Sequence, residues 1–160
     1  MQETVVDRQI EILRWTYGLV PIAAGADKFT NFLTDWGKYL SPRAKRMLPV
    51  SPRMFMRAVG VIEIAAGALV LDRRTSRIGA YVVGGWLGAI AANLIANRSL
   101  DVAVRDIVMG IGAISLARLL ASREQTTRER ELREVSPLRR ELLLSALVRH
   151  VQSGYLYHYA

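Results

Sequence analysis

Cysteine is absent from the 160-residue sequence. That excludes disulfides, thiolate metal sites, iron–sulfur clusters and cysteine nucleophiles together. Histidine is scarce: His150 and His158 are the only two, and both lie close to the C-terminus. No imidazole is left in the rest of the chain to ligate a haem or a chlorin. Two isolated histidines in an aromatic tail read as surface residues rather than metal ligands. There is also no phosphate loop, no nucleophile elbow and no Glu-x-x-His pair of the di-metal type. Acidic residues are the minority, 14 against 22 Lys and Arg, for a net charge of +8. The basic residues fall between apolar runs and form no recognised binding motif, so they point to lipid head groups and chain orientation rather than nucleic acid.

What the sequence has is apolar length. Four blocks stand out: Ile10–Ala26, Phe55–Leu71, Ile78–Ala96 and Val102–Leu120. Each approaches the 17–20 residues that cross ~30 Å of hydrocarbon at 1.5 Å per residue. The first two carry charges, and either alone could be a buried helix of a soluble protein. The third decides the reading, because Ile78 to Leu94 contains no charged residue. A helix apolar around its whole circumference is rare in a small soluble domain. Ala24-Gly25-Ala26 resembles a signal-peptidase site, but Glu3, Asp7 and Glu11 stand where a basic n-region belongs. The expectation is an uncleaved first span.

The expected fold is all-α: a four-helix transmembrane bundle with an interfacial helix in the first loop and a cytoplasmic helical tail. The domain division is 1–121 for the membrane part and 122–160 for the tail. In the long first loop, Phe29, Phe32, Leu33 and Trp36 recur at i, i+3, i+4 and i+7, which predicts one face of an interfacial helix. The short connections Asp72–Arg77 and Asn97–Asp101 make spans two to four antiparallel neighbours. Arg73, Arg74 and Arg77, with Arg118, Arg123 and Arg128, favour a cytoplasmic turn, tail and N-terminus. Lys28, Lys38, Arg43, Lys45, Arg46 and Arg53 in the first loop run against that orientation. In the tail, Glu124/Arg128 and Glu129/Arg133 extend the fourth helix into water. Ser136-Pro137 then reads as the start of a further helix and Gly154 as its stop. Tyr155, Tyr157 and Tyr159 are the candidate contacts with a lipid interface or a partner's groove.

Within the third span Ala80, Gly84, Gly88 and Ala92 fall four apart, which reads as the seam of the bundle. Charged and polar residues in the spans and at their ends are the candidate site: Arg14, Asp27, Lys28, Glu63, Asn93, Arg105 and Asp106. A charged side chain at mid-bilayer costs about 2.5–3.5 kcal/mol on insertion scales, so each needs a partner or a purpose. Glu63 is central in its span and shares a face with Gly60 and Gly67. Arg105 and Asp106, adjacent on a helix, point about 100° apart, and each is expected to need a separate partner. Two readings stay open. In the first, a buried polar network fixes helix register, with Glu63 paired to Arg14 or Arg105. In the second, a polar pocket holds a quinone-like or other small head group and Glu63 exchanges protons. The residues alone favour the network, since ion pairs perturb titration without being catalytic.

Several of these residues also resemble a known pattern. Leu13-Arg14, Gly18 and Gly25-Ala-Asp-Lys28-Phe29 are similar to the first helix of the DoxX/DoxD-like membrane proteins. Gly60-Val-Ile-Glu63-Ile-Ala-Ala-Gly67 is similar to their second helix, and Arg105-Asp106 with Leu116-Ala-Arg118-Leu119 to their fourth. The resemblance covers about residues 10–120 and leaves the tail outside it. It implies a four-helix integral membrane fold and a link to quinone-coupled redox systems, since one branch includes a thiosulfate:quinone oxidoreductase subunit. The resulting expectation is a multi-pass protein of a bacterial cytoplasmic membrane, an accessory or structural subunit of a redox or energy-converting complex. Its expected partners are the bilayer and other membrane subunits; quinone or lipid is the expected small-molecule contact, with no cofactor held covalently or through His or Cys. The alternatives are a quinone-reducing subunit of the thiosulfate:quinone type and a small-solute carrier. Four spans without an inverted repeat argue against the carrier.

Overall fold

The computed structural model describes residues 2–156, and among these there is no strand. The elements are α1 (Gln2–Thr30), a 3₁₀ turn (Trp36–Tyr39), α2 (Pro42–Met47), α3 (Pro52–Leu71), α4 (Ser76–Ala96) and α5 (Leu100–Leu156). The chain divides into two compact units, Met1–Ala121 and Ser122–Ala160. Among the described residues, α3 and α4 are long and apolar enough to cross a membrane.

Local chemistry explains the element ends. At the end of α1 the backbone turns left-handed at Asn31 (φ 53°), and the Asn31 N–H closes on the Asp27 carbonyl at 2.6 Å. Asparagine is one of the few residues that accept this conformation cheaply. Ser51 caps α3, its hydroxyl accepting the Met54 N–H at 3.3 Å, and Pro52 takes the first helical position, where a missing N–H costs nothing. Past α4, Arg98 is left-handed (φ 57°), with Ser99 N–H on the Leu94 carbonyl and Arg98 N–H on the Ile95 carbonyl. These two bonds form a Schellman motif built without glycine.

Two expectations about the connections are corrected. The stretch holding Phe32, Leu33 and Trp36 is not an interfacial helix. Phe32 and Leu33 are 88% and 70% exposed, and the chain between residues 31 and 35 is irregular. The helical spacing is overridden because the Asp27 carboxylate accepts the backbone N–H groups of Phe32 and Leu33 and pulls them out of helical register. Nor does a new helix begin at Ser136-Pro137: α5 runs through Pro137 and through Gly154 to Leu156. Tyr157 and Tyr159 lie outside the described residues, as does the side chain of Tyr155.

In the first unit four helices share one core. Ile10 and Tyr17 of α1 meet Ala66 and Val70 of α3, Ala80 and Val83 of α4, and Ala113, Leu116 and Ala117 of α5. Small residues set how closely the helices approach. A Cβ on Gly25 would stand 2.5 Å from the Gly60 carbonyl oxygen, and one on Gly60 would stand 2.5 Å from that of Gly25. Gly18 and Gly67 repeat the arrangement two turns away, so α1 and α3 cross antiparallel with backbone against backbone.

The α4 seam is also corrected. Ala80 and Gly84 are buried, and Gly84 approaches Gly110 and Ile114 of α5. Gly88 has nothing within 4 Å of a built Cβ, and Ala92 is exposed. A strict four-residue repeat rotates by about 40° per step around a 3.6-residue helix, so the row leaves the interface after two members. The buried edge instead continues through Ala91 and Leu94.

Candidate functional site

The α1–α3 crossing positions two charges. Lys28 lies one turn past Gly25 on α1 and Glu63 one turn past Gly60 on α3. Because the helices are antiparallel they flank the glycine contact from opposite sides, Lys28 against Gly60 and Glu63 against Gly25, and their side chains lean back across it to meet. Lys28 Nζ donates to Glu63 Oε2 at 2.5 Å, with the two side chains only 5% and 7% exposed. The same ammonium lies 3.8 Å from the centroid of the Trp36 ring and also donates to the Ala24 carbonyl at 3.4 Å. The Trp86 indole N–H donates to Glu63 Oε1 at a long 3.5 Å. A charged pair this deep is held by several weak partners as well as by its own attraction, as burial demands.

Asp27 builds the wall behind Lys28. Its carboxylate accepts the Phe32 N–H (2.9 Å), the Leu33 N–H (3.1 Å), the Thr30 hydroxyl (3.0 Å) and the Trp36 indole N–H (2.7 Å). This fixes the Trp36 ring over the ammonium. Burial alone would raise the Asp27 pKa; the hydrogen bonds from Leu33, Trp36, Thr30 and Phe32 outweigh it and hold the carboxyl below its usual range. Asp27 stands one residue past the first apolar block. From α4, Asn93 fastens the other side of the loop: its Nδ2 donates to the Tyr39 carbonyl at 2.9 Å, and its Oδ1 accepts the Ser41 N–H at 3.2 Å.

Lys28, Trp36, Glu63, Trp86 and Asn93 line a cavity of about 640 Å³ in the first unit. Most of its lining is apolar, with Tyr17 and Val20 of α1, Val59 and Ala66 of α3, Leu87 of α4 and Met109 of α5 on its walls. The polar lining includes Lys28, Glu63, Trp86, Asn93, Arg105 and Asp106, with Thr34, Trp36 and Tyr39 from the loop. Arg105 and Asp106 pair with each other: Nη2 lies 2.8 Å and Nε 2.9 Å from Asp106 Oδ1. The expectation of separate partners therefore fails, because the long guanidinium stem folds back across the 100° between neighbouring positions.

Five of the seven predicted site residues thus line one cavity, and Asp27 orders its wall. Arg14 does not belong to it. Its guanidinium pairs with Glu11 at 2.7 Å and donates to the Leu71 carbonyl at 2.6 Å, near the end of α3. Glu63 pairs with neither Arg14 nor Arg105; its partner is Lys28. The sequence reading missed Trp36, Trp86 and Tyr17. Trp86 had left a signal, since an indole N–H inside an otherwise apolar span needs an acceptor. Tyr17 left none: its hydroxyl reaches Gly112 of α5, a contact visible only once the helices are packed.

In comparison with known proteins, no family model matches the chain, and neither a curated protein nor a solved structure matches it.

Proposed function

We propose that the chain is a four-span integral membrane protein of the DoxX-like kind, an accessory subunit of a redox or energy-converting assembly whose interior receives a quinone-type head group. One observation carries the reading: a largely apolar cavity has a buried Lys28–Glu63 pair and an indole N–H on its wall. That combination suits a ligand with an apolar body and a small polar end. Lys28 and Trp86 offer donors to a carbonyl oxygen, and Glu63 is the proton-exchanging group beside them. A quinone would supply the electron-accepting chemistry when bound; these residues would bind its head, orient it and exclude water.

The distribution of polarity supports the membrane setting. Arg14, Asp27, Lys28, Glu63 and Asp106 are buried. Ile12, Trp15 and Leu19 on α1, and Val104, Val108 and Ile111 on α5, are exposed. The apolar windows of α3 and α4 are only 39% and 33% buried, whereas the core helix of a soluble protein turns most of such a surface inward. Charges inside and large apolar side chains outside fit a lipid solvent. In this reading α1 and the first part of α5 are the remaining spans, with their charges turned inward. The Arg73–Arg77 turn then faces the cytoplasm, and Lys38 the opposite side.

Two measurements test the proposal. The chain has no cysteine to give background. Labelling Thr75→Cys or Lys38→Cys from outside intact cells should mark only Lys38→Cys; labelling of both positions would refute the four-span topology. A short-chain quinone titrated into purified protein should quench tryptophan fluorescence saturably, and Lys28→Met should abolish saturation. A wild-type response that rises linearly without saturating would remove the cavity as a quinone site.

A further inference from the structure

A second cleft, of about 520 Å³, opens beside the first cavity and shares Lys28 and Met56 with it. Its rim is cationic: Lys45 comes from α2 and Arg53 from the start of α3, against the single acid Asp35. Between residues 28 and 53 the sequence has six basic residues and one acid. Lys28 is neutralised by Glu63, but among the described residues no carboxylate lies within salt-bridge distance of Lys45 or Arg53. Phe32, Leu33, Met47 and Met54, exposed on the same loop and helix ends, give this end of the unit an apolar surface among the cations.

We propose that this cleft holds the phosphate head group of an anionic lipid, gripped between Lys45 and Arg53, with the acyl chains lying on the exposed apolar side chains. The inference rests on the membrane reading above and extends it to a site that reading does not use. It also accounts for a misfit. In the four-span topology this loop lies on the side where retained cations are disfavoured, so its charge needs a role other than orienting the chain. A tetrahedral oxyanion suits two cations carried on separate elements, and a membrane protein meets such anions mainly as lipid head groups. Because Lys28 is a wall of both spaces, a phosphate in the cleft competes with Glu63 for that ammonium. Lipid occupancy is thereby coupled to the polar lining of the first cavity.

The test compares full-length protein in nanodiscs of phosphatidylcholine alone and with phosphatidylglycerol, reading retained lipid by native mass spectrometry after release into detergent. Each basic side chain near an anionic surface contributes about fivefold, so Lys45→Gln with Arg53→Gln should lower phosphatidylglycerol retention roughly 30-fold. Arg123→Gln with Arg128→Gln removes the same charge from the tail and should leave retention unchanged. Equal loss in both double variants would reduce the effect to net charge and overturn the site. Displacement of the lipid by millimolar inorganic phosphate alone would assign the cleft to free phosphate instead. Protein found in the aqueous fraction after alkaline extraction of membranes would overturn the membrane reading, and the lipid source with it. Loss of quinone quenching in phosphatidylcholine discs, with lipid preference intact, would overturn only the interior site.

Discussion

The α1–α3 pair buries one cation toward each end, and the two are held in different ways. Arg14 is tied to Glu11, whose side chain is 40% exposed and also meets Arg73 at 3.2 Å, and to the carbonyl of Leu71. Its partners are a helix terminus and a half-solvated acid, so it works as a staple that joins α1 to the end of α3. Lys28 is tied to a carboxylate as buried as itself, under an indole ring, at the wall of a cavity. The difference teaches that a buried charge is informative by what surrounds it, not by its burial. Arg14 faces packed helix, whereas Lys28 faces space.

The comparison can be broken at its strongest point first. Glu63→Gln leaves Lys28 buried and unpaired, and thermal unfolding in detergent should show a loss of about 3–5 kcal/mol. Lys28→Met combined with Glu63→Leu should recover most of that loss, since a matched apolar pair of similar volume carries no desolvation cost. Additive losses in the double variant would mean that the two residues do not act as a pair.

Next in size is the backbone contact that sets the pair. Gly25→Leu drives a side chain into the Gly60 carbonyl and should cost about 1–3 kcal/mol or more. Gly88→Leu, facing open space, should stay within about 0.5 kcal/mol. A large loss at Gly88 would show a partner helix on that face.

Glu11→Gln should be milder still, at about 1 kcal/mol or less, because a half-exposed pair is screened and Arg14 keeps the Leu71 carbonyl. If it matched Glu63→Gln, the distinction between the two cations would collapse. The smallest effect is confined to acid. The Asp27 carboxyl titrates below its ordinary 3.8, so it stabilises the fold fully above that value and loses its contribution as pH falls through the lower folded value. A melting series from pH 6 downward should therefore bring wild type and Asp27→Asn together only below about pH 3.8. Curves that converge well above pH 3.8 would mean the loop hydrogen bonds do not hold the carboxylate.

Much of the first unit was legible in the sequence, because apolar length and helical period are local properties. The blocks at 55–71 and 78–96 fall within α3 and α4, and Lys28, Glu63, Asn93, Arg105 and Asp106, named from the sequence, lie on the cavity wall. The loop was misread for an equally physical reason. The i, i+3, i+4, i+7 spacing of Phe29, Phe32, Leu33 and Trp36 says only what a helix would do with them. It does not weigh the Asp27 carboxylate that competes for the N–H groups of Phe32 and Leu33.

The sequence by itself determined the helical content, the apolar stretches and the set of charges that had to be satisfied among them. It could not determine which charge meets which: the residues alone pointed Glu63 to Arg14 or Arg105, and its partner is Lys28. That choice belongs to the tertiary structure. The reciprocal glycine approaches of Gly18 to Gly67 and Gly25 to Gly60 fix the antiparallel register of α1 and α3, and that register sets Lys28 beside Gly60 and Glu63 beside Gly25, within reach of each other across the contact. A register is a property of two surfaces fitting at close range, and no single helix carries it.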